Sequence, residues 1–267
     1  MAEADLLVAG GTGHVGRAVV AEALDRGLLV RVLSRHAPAV DAEGRVVGAE
    51  YVRGDIRTGA GLPGALAGTR ALIDTTNGFS RADRPTLTEG ARVLTDAAAA
   101  AGVERAVVLS IVNVDQGRFG YYRAKAEQER VYRGAEVDAR VVRATQFHDL
   151  VASFCHLAPF GLATAFRGIR FQPIAIGDVA RVLVDQAIEV APTTDRTMTI
   201  GGPLIHTTEE LAAMWQRAHG RSGRTIRLPL PGALGNFFRA GLNLAPDHRV
   251  GTQTFEEWLA SGVGGRP

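Results

Sequence analysis

Two periods alternate along the first half of this chain. Short, continuous apolar runs at 6–9, 28–33, 49–53, 70–74, 106–110 and 138–142 read as buried strands, and most end in glycine, serine or aspartate. Between them, apolar residues recur at helical spacing over 14–24, 62–67, 83–102 and 120–133. In the first of these helices Val15, Val19, Val20, Ala23 and Leu24 share one face and Gly27 is the stop; in the third, Asp83 is the expected cap with Pro85 in the first turn. Residues 37–48 read as loop. The second half is less regular. A short apolar helix is expected over 145–157, stopped before Pro159, and a strand over 169–172. Gly177-Asp178 caps a helix over 179–190, and 197–200 is a strand. Thr207 with Glu210 forms a capping box for a helix reaching His219, 225–228 is a strand, and the tail from 234 holds two helical stretches.

Strands alternating with helices at this spacing predict an α/β fold: a Rossmann-type, doubly wound parallel sheet with helices on both faces. One domain is expected over 1–267, with a dinucleotide-binding part over 1–143 and a mixed part over 144–267 that completes the sheet and forms a small substrate-binding lobe.

The first strand runs into Gly10-Gly11-Thr12-Gly13-His14-Val15-Gly16 and from there directly into a helix. Strand, glycine turn and helix together make this a dinucleotide-binding fingerprint, in the frame Gly11-x-Gly13-x-x-Gly16 or Gly10-x-x-Gly13-x-x-Gly16. Glycine permits the tight turn, lets backbone approach a pyrophosphate, and at Gly16 lets helix pack on strand. The first free helical N–H groups, around His14 and Val15, then point at the phosphates.

Composition narrows the alternatives. The chain has 267 residues, 46% hydrophobic and 22% charged, with a net charge of +2, which suits a globular protein with ample core. Its arginines are scattered, so no nucleic-acid surface is expected. Cys155 is the only cysteine, which excludes an intrachain disulfide and suggests a reducing compartment. The start is polar and acidic, and no apolar run approaches the roughly 20 residues of a membrane span. A cytoplasmic protein, not membrane-bound, is expected. No His-Glu-x-x-His or Cys-x-x-Cys occurs, so no metal is expected, and no Gly-x-Ser-x-Gly argues for a hydrolase elbow.

In doubly wound sheets ligands bind beyond the carboxyl ends of the strands. That directs attention to 10–16, 34–36, 54–56, 75–78, 110–115 and 144–149. After the second strand stand Ser34 and Arg35, where an NAD-preferring fold places an acid; a hydroxyl and an arginine suit a 2′-phosphate, so NADP(H) is expected over NAD(H). On the helix from Gly120, Tyr121 and Lys125 lie at i, i+4, as Tyr122 and Lys125 also share a face. A lysine so placed can hold a nicotinamide ribose and lower a phenol pKa, and the phenol can exchange a proton with a carbonyl oxygen.

Gly10-x-x-Gly13-x-x-Gly16, Ser34-Arg35, Gly54-Asp55, Thr75-Thr76-Asn77 and Tyr121-x-x-x-Lys125 resemble, in order and spacing, the short-chain dehydrogenase/reductase superfamily. Val108-Leu109-Ser110, Arg143-Ala144-Thr145-Gln146-Phe147 and Gln172-Pro173-Ile174 are similar to its atypical NmrA-like and isoflavone-reductase-like branch. The resemblance implies that Asp55 and Ile56 hold the adenine and that Thr75, Thr76 and Asn77 pass along the cofactor. It makes Lys125 the ribose ligand and Tyr121 the acid/base, and it sets 145–149 beside nicotinamide and substrate. Asn113, Gln146, Phe147 and His148 are the substrate-side candidates. The chain departs from the superfamily pattern, in which catalytic members carry a Ser or Thr shortly after the fifth strand to bond a substrate carbonyl: here Ser110 sits at the strand end and Ile111 and Val112 follow, with Asn113 the nearest other polar residue.

These observations imply an NADPH-dependent reductase of a small apolar carbonyl, enone or quinone, with Tyr121 as proton donor. The alternative is a non-catalytic, NADP(H)-sensing regulatory protein of the NmrA type. A monomer or homodimer is compatible with either. Phe147, Phe154, Phe160, Phe166, Phe237, Phe238 and Trp258 supply aromatics to the second half, with core packing the default role.

Overall fold

The computed structural model describes residues 3–36, 39, 44–157, 162–188, 195–221 and 223–262. Its elements run β1 (Ala4–Ala9), α1 (His14–Asp25), β2 (Val30–Ser34), β3 (Glu50–Arg53), α2 (Leu62–Leu66), β4 (Thr69–Asp74), α3 (Glu89–Ala100), β5 (Arg105–Ile111), α4 (Gly120–Arg133) and β6 (Asp138–Ala144). There follow α5 (His148–Cys155), β7 (Ala163–Phe166), β8 (Arg170–Phe171), α6 (Ile176–Ile188), β9 (Thr197–Ile200), β10 (His206–Thr207), α7 (Thr208–Ala218), β11 (Thr225–Leu228), α8 (Gly232–Arg239) and α9 (Phe255–Ala260).

Seven strands form one sheet in the order β3-β2-β1-β4-β5-β6-β9. β1 pairs in parallel with β2 and β4, β2 with β3, and β4 with β5. The order reverses between β1 and β4, the switch point at which such sheets bind ligands. β8 pairs with β10 and β7 with β11 in two small ribbons. The fold is Rossmann-like α/β, as expected.

The chain divides into two compact units, one of Met1–Ser110, Gly120–Val142 and Ala180–Met198, the other of Ile111–Phe119, Arg143–Val179 and Thr199–Pro267. The first therefore takes back a segment from beyond 143 and cedes one before it. Its core sets Leu7, Leu33 and Leu72 of the sheet against Leu62 and Leu66 of α2, Leu94 and Ala98 of α3, and Tyr132 of α4. α1 buries Gly16, Val19, Val20 and Ala23 and ends at Gly27, whose φ of +78° is the left-handed stop a glycine supplies.

Several elements differ from the sequence reading. The helix expected over 83–102 is split: Arg84–Thr86 is a 3-10 turn, and α3 starts only at Glu89. Asp83 caps neither with its side chain; its Oδ2 accepts from Ser80 Oγ instead. The helix expected over 145–157 is shorter, because Gln146 and Phe147 stay extended to pair with the Ile174 backbone. Asp178 is not a cap but lies inside the first turn of α6, where it accepts from Thr252 N at 2.8 Å and Thr252 Oγ1 at 2.9 Å. The Thr207/Glu210 capping box is present, and an unforeseen one, Thr254/Glu257, opens α9. Pro159, Phe160, Val190 and most of 37–43 lie outside the described residues.

Candidate cofactor and active site

Within the first unit, a cleft of about 540 Å³ opens at the carboxyl ends of β1 to β4, the size of a small-molecule site. It is lined by Gly10, Thr12, Gly13, Ser34, Arg35, Asp55, Ile56, Thr75, Thr76 and Asn77, residues drawn from four separate strand ends. Ala9, Leu33, His36, Gly54, Arg57, Asp83 and Thr86 complete the lining.

The glycine turn is built by contact. Gly10 has φ +77°, and a Cβ there would lie 2.9 Å from the Thr75 and Thr76 backbone. Gly13 N donates to Gly10 O at 2.9 Å, closing the turn. A Cβ on Gly16 would lie 2.1 Å from Gly10 O, so α1 touches the turn itself. The N-cap of α1 is Gly13, with no side-chain cap and no acid in the first turn. An uncapped helix start of this kind is where an anion is ordinarily received.

Beyond β2, Ser34 Oγ donates to His36 O at 2.8 Å, which tightens the corner carrying Arg35. Asp55 is held in a turn, its N donating to Ala60 O and its Oδ1 accepting from Arg57 N, both at 2.9 Å. Arg57 is a second guanidinium on the cleft wall. It escaped the sequence reading although it directly follows the flagged 54–56.

Tyr121 stands at the start of α4, half-buried, its ring 5.3 Å from that of Phe79. Burial pushes its phenol up to about 12, while a side-chain hydrogen bond with Asn77 works the other way. Tyr122 is buried, and burial raises it well above the ordinary value. Tyr121 is thus tied to a cleft residue. Lys125 does not bring the phenol down: it turns into the core, where Nζ donates to Leu109 O at 2.7 Å and Gln128 Oε1 at 2.5 Å. Burial lowers Lys125 to about 8, opposed by Asp74 and Glu129. Two buried hydroxyls, Thr76 Oγ1 and Ser110 Oγ, have no hydrogen-bond partner. A cradle closed to side chains, a helix start without a side-chain cap and the unpartnered Thr76 hydroxyl on the cleft wall fit a dinucleotide.

The substrate-side candidates lie in the second unit, each engaged there. Asn113, at φ 50°, donates through Nδ2 to Leu242 O at 2.9 Å. Gln146 Oε1 accepts from Asn243 Nδ2 at 3.2 Å, and Phe147 precedes α5 as its N-cap. His148 is buried, its Nε2 3.1 Å from Gln253 O and its ring 5.7 Å from Phe255 and 5.5 Å from Trp258. Burial depresses its pKa to about 4. The folded chain binds the proton less well than the unfolded one, so stability is full above about pH 6.5 and falls as pH drops toward 4. Acid is expected to remove up to about 3 kcal/mol by this route, and thermal unfolding of His148→Leu across that range should show a flatter pH dependence.

Residues 10–189 match the model of a family described as NAD(P)H-binding. The chain belongs to this NAD(P)H-binding family. It is 32% identical over 236 residues to the (4-alkanoyl-5-oxo-2,5-dihydrofuran-3-yl)methyl phosphate reductase of Streptomyces griseus, covering 85% of this chain and 78% of that protein. It is 27% identical to the photosystem II assembly factor Ycf39 of Trieres chinensis, over 84% of this chain and 72% of that one. In fold it is similar to the NADPH-dependent quinone oxidoreductase QOR2 of Escherichia coli, solved with NADPH, at a TM-score of 0.78 and 18% identity, covering 96% of this chain and 99% of that one. The fold is also that of a short-chain dehydrogenase/reductase superfamily protein from Agrobacterium tumefaciens, solved with NAD, at a TM-score of 0.74 and 20% identity, covering 97% of this chain and 95% of that one. Among the described residues no group of three or more His, Cys, Asp or Glu could hold a metal, and no helix is long and apolar enough to cross a membrane.

Proposed function

We propose that this family member is an NADPH-dependent reductase of an apolar carbonyl, enone or quinone, with Tyr121 as proton donor. The carrying observation is the state of Tyr121. Its pKa of about 12 keeps the phenol protonated through neutral pH, as a donor in the reductive direction must be. The Asn77 hydrogen bond favours the ionised phenol, the sense in which the amide N–H donates and leaves the phenol's own proton for a substrate oxygen. A bound nicotinamide supplies the hydride. Ser34 and Arg35, joined by Arg57, are the anion-binding set that a 2′-phosphate calls for, and Lys125 holds the nicotinamide ribose through the donor its two protein acceptors leave over. Ser110, with its unpartnered buried hydroxyl, is the remaining donor for a substrate carbonyl. The Streptomyces relative is named a reductase and the QOR2 neighbour a quinone oxidoreductase, which supports the reaction class.

The second reading is a cofactor-binding protein without turnover. It is favoured by Ile111 and Val112, apolar just after the fifth strand where catalytic members of the superfamily carry a Ser or Thr, and by the relatives named as assembly factors. Titration with NADPH and NADH, followed by NADPH oxidation over a panel of quinones and enones, separates the two. Tyr121→Phe is expected to lower kcat about 100-fold or more while leaving the NADPH Kd within about twofold of wild type. Unchanged turnover in that variant overturns the assignment of the donor.

A further inference from the structure

Lys125 is the only lysine among 267 residues; every other cationic side chain of the Lys/Arg class is an arginine. It is also buried, 4% exposed, where a cation needs a reason to be. The reason lies one side chain away. Gln128 accepts from Lys125 Nζ through Oε1 at 2.5 Å and donates through Nε2 to Asp74 Oδ2 at 2.9 Å. Asp74, at the end of β4, is fully buried. The same Oδ2 accepts from Tyr132 OH at 2.8 Å, and Oδ1 accepts from Thr76 N at 2.8 Å. A buried carboxylate, a buried ammonium and an amide between them therefore form an ion pair bridged by Gln128, and the carboxylate also anchors the backbone of a cleft-lining residue.

We propose that Asp74 is the positioning residue for Lys125: acting through Gln128, it holds the lysine in place as a cation and locks it to the loop that lines the cofactor cleft. This deepens the proposed function and rests on its reading of Lys125 as the ribose-holding residue. The chemistry follows from the donor inventory. An ammonium has three N–H groups; Leu109 O and Gln128 Oε1 take two, and the third is left for a ribose hydroxyl. Without a counter-charge, a lysine in this environment sheds its proton. The charged groups acting on it are Asp74 from β4 and Glu129 on its own helix, which also carries Tyr121, Tyr122 and Tyr132, the last bonded to the same Asp74 oxygen. Glu129 is already paired with Arg133 at 2.8 Å, and the tyrosines are held neutral by burial. The neighbouring strand β5 contributes the uncharged Leu109 carbonyl. Asp74 is accordingly the carboxylate on which the charge of Lys125 depends most.

The single lysine makes the test direct. Protein grown with isotopically labelled lysine shows one side-chain resonance, whose shift reports the titration of Lys125 without any cofactor. In wild type it should titrate near 8. In Asp74→Asn the midpoint should fall by at least about one pH unit, because the opposite charge is gone. The double variant Asp74→Asn/Gln128→Glu moves the carboxylate next to the amine and lets the new amide at position 74 donate to it. That exchange should return the midpoint to wild type or above. An unmoved midpoint in Asp74→Asn, or no recovery in the double variant, overturns the proposal. Should Asp74→Asn fail to fold, Gln128→Leu severs the bridge while leaving Asp74 with Thr76 and Tyr132. A downward shift supports the proposal in that variant and an unmoved midpoint overturns it. NADPH titration of the same samples keeps the two readings apart. Affinity that weakens above the lysine midpoint supports both, whereas a lysine that behaves as stated in a protein with no affinity for NADPH overturns the ribose-holding role and leaves the Asp74–Lys125 pair standing.

Discussion

Gly16→Ala is expected to abolish practical cofactor binding, weakening NADPH by about 100-fold or more, close to 3 kcal/mol. The new methyl would sit 2.1 Å from Gly10 O and 2.6 Å from the Gly11 Cα. Both obstacles are backbone, so no rotamer change relieves the clash; either α1 withdraws from β1 or the turn is pushed into the cleft. Overpacking of this kind ordinarily costs about 1–3 kcal/mol of stability. The larger effect falls on binding, because the displaced Gly10–Gly13 hydrogen bond is what aims the leading N–H groups of α1. Fluorescence titration with NADPH and a melting curve check both parts. Gly27→Ala is the contrast: nothing lies within 4 Å of its Cβ, and only its φ of +78° opposes the change. It should cost about 1 kcal/mol and leave NADPH affinity unchanged.

The second large effect is expected on stability, from Arg31→Met. Arg31 lies on β2 with no exposed surface. Its Nη1 donates to Ala65 O at 2.7 Å, Ala67 O at 3.0 Å and Thr69 Oγ1 at 3.3 Å, and its Nε meets Glu50 at 2.9 Å. A guanidinium at the carboxyl end of α2 thus closes carbonyls that a helix terminus leaves open. Methionine fills much of the volume but takes this donor from both carbonyls, leaving Ala65 O only the Thr69 hydroxyl at 3.5 Å, at about 1–3 kcal/mol each. Glu50, half-exposed, returns to water at little cost. The lost hydrogen bonds sum to about 3 kcal/mol, and at a few degrees per kcal/mol the Tm should fall by about 10 °C. A shift below about 2 °C in a melting curve would show that the carbonyls find other partners.

What could be read in advance shares a physical basis: it depended on local repetition. Glycine spacing, continuous apolar runs and a capping pair such as Thr207/Glu210 each express a backbone requirement within a few residues. The strands of the sheet and the whole of α4 were legible for that reason. The long helix expected over 83–102 was misread because Pro85 suits a first turn equally well in 3-10 and α geometry. Asp178 was misread because a helix-start aspartate looks the same whether it caps its own helix or anchors the distant Thr252 backbone. Arg31 was passed over inside an apolar strand, since only the arrival of α2 shows why an arginine belongs there.

The sequence by itself determined the α/β alternation, the glycine cradle, the NAD(P)H-binding character and the pairing of Tyr121 with Lys125 on one helix. Tertiary structure alone decided which way those two side chains face. Tyr121 is set against Asn77 from another strand end, while Lys125 turns inward to the Leu109 carbonyl and, by way of Gln128, to Asp74 on a strand far earlier in the chain. Helical periodicity places residues on a face within one element. The partners that give a buried ammonium its charge, or keep a phenol protonated, come from strands brought alongside by the sheet order, and no short-range pattern encodes that order.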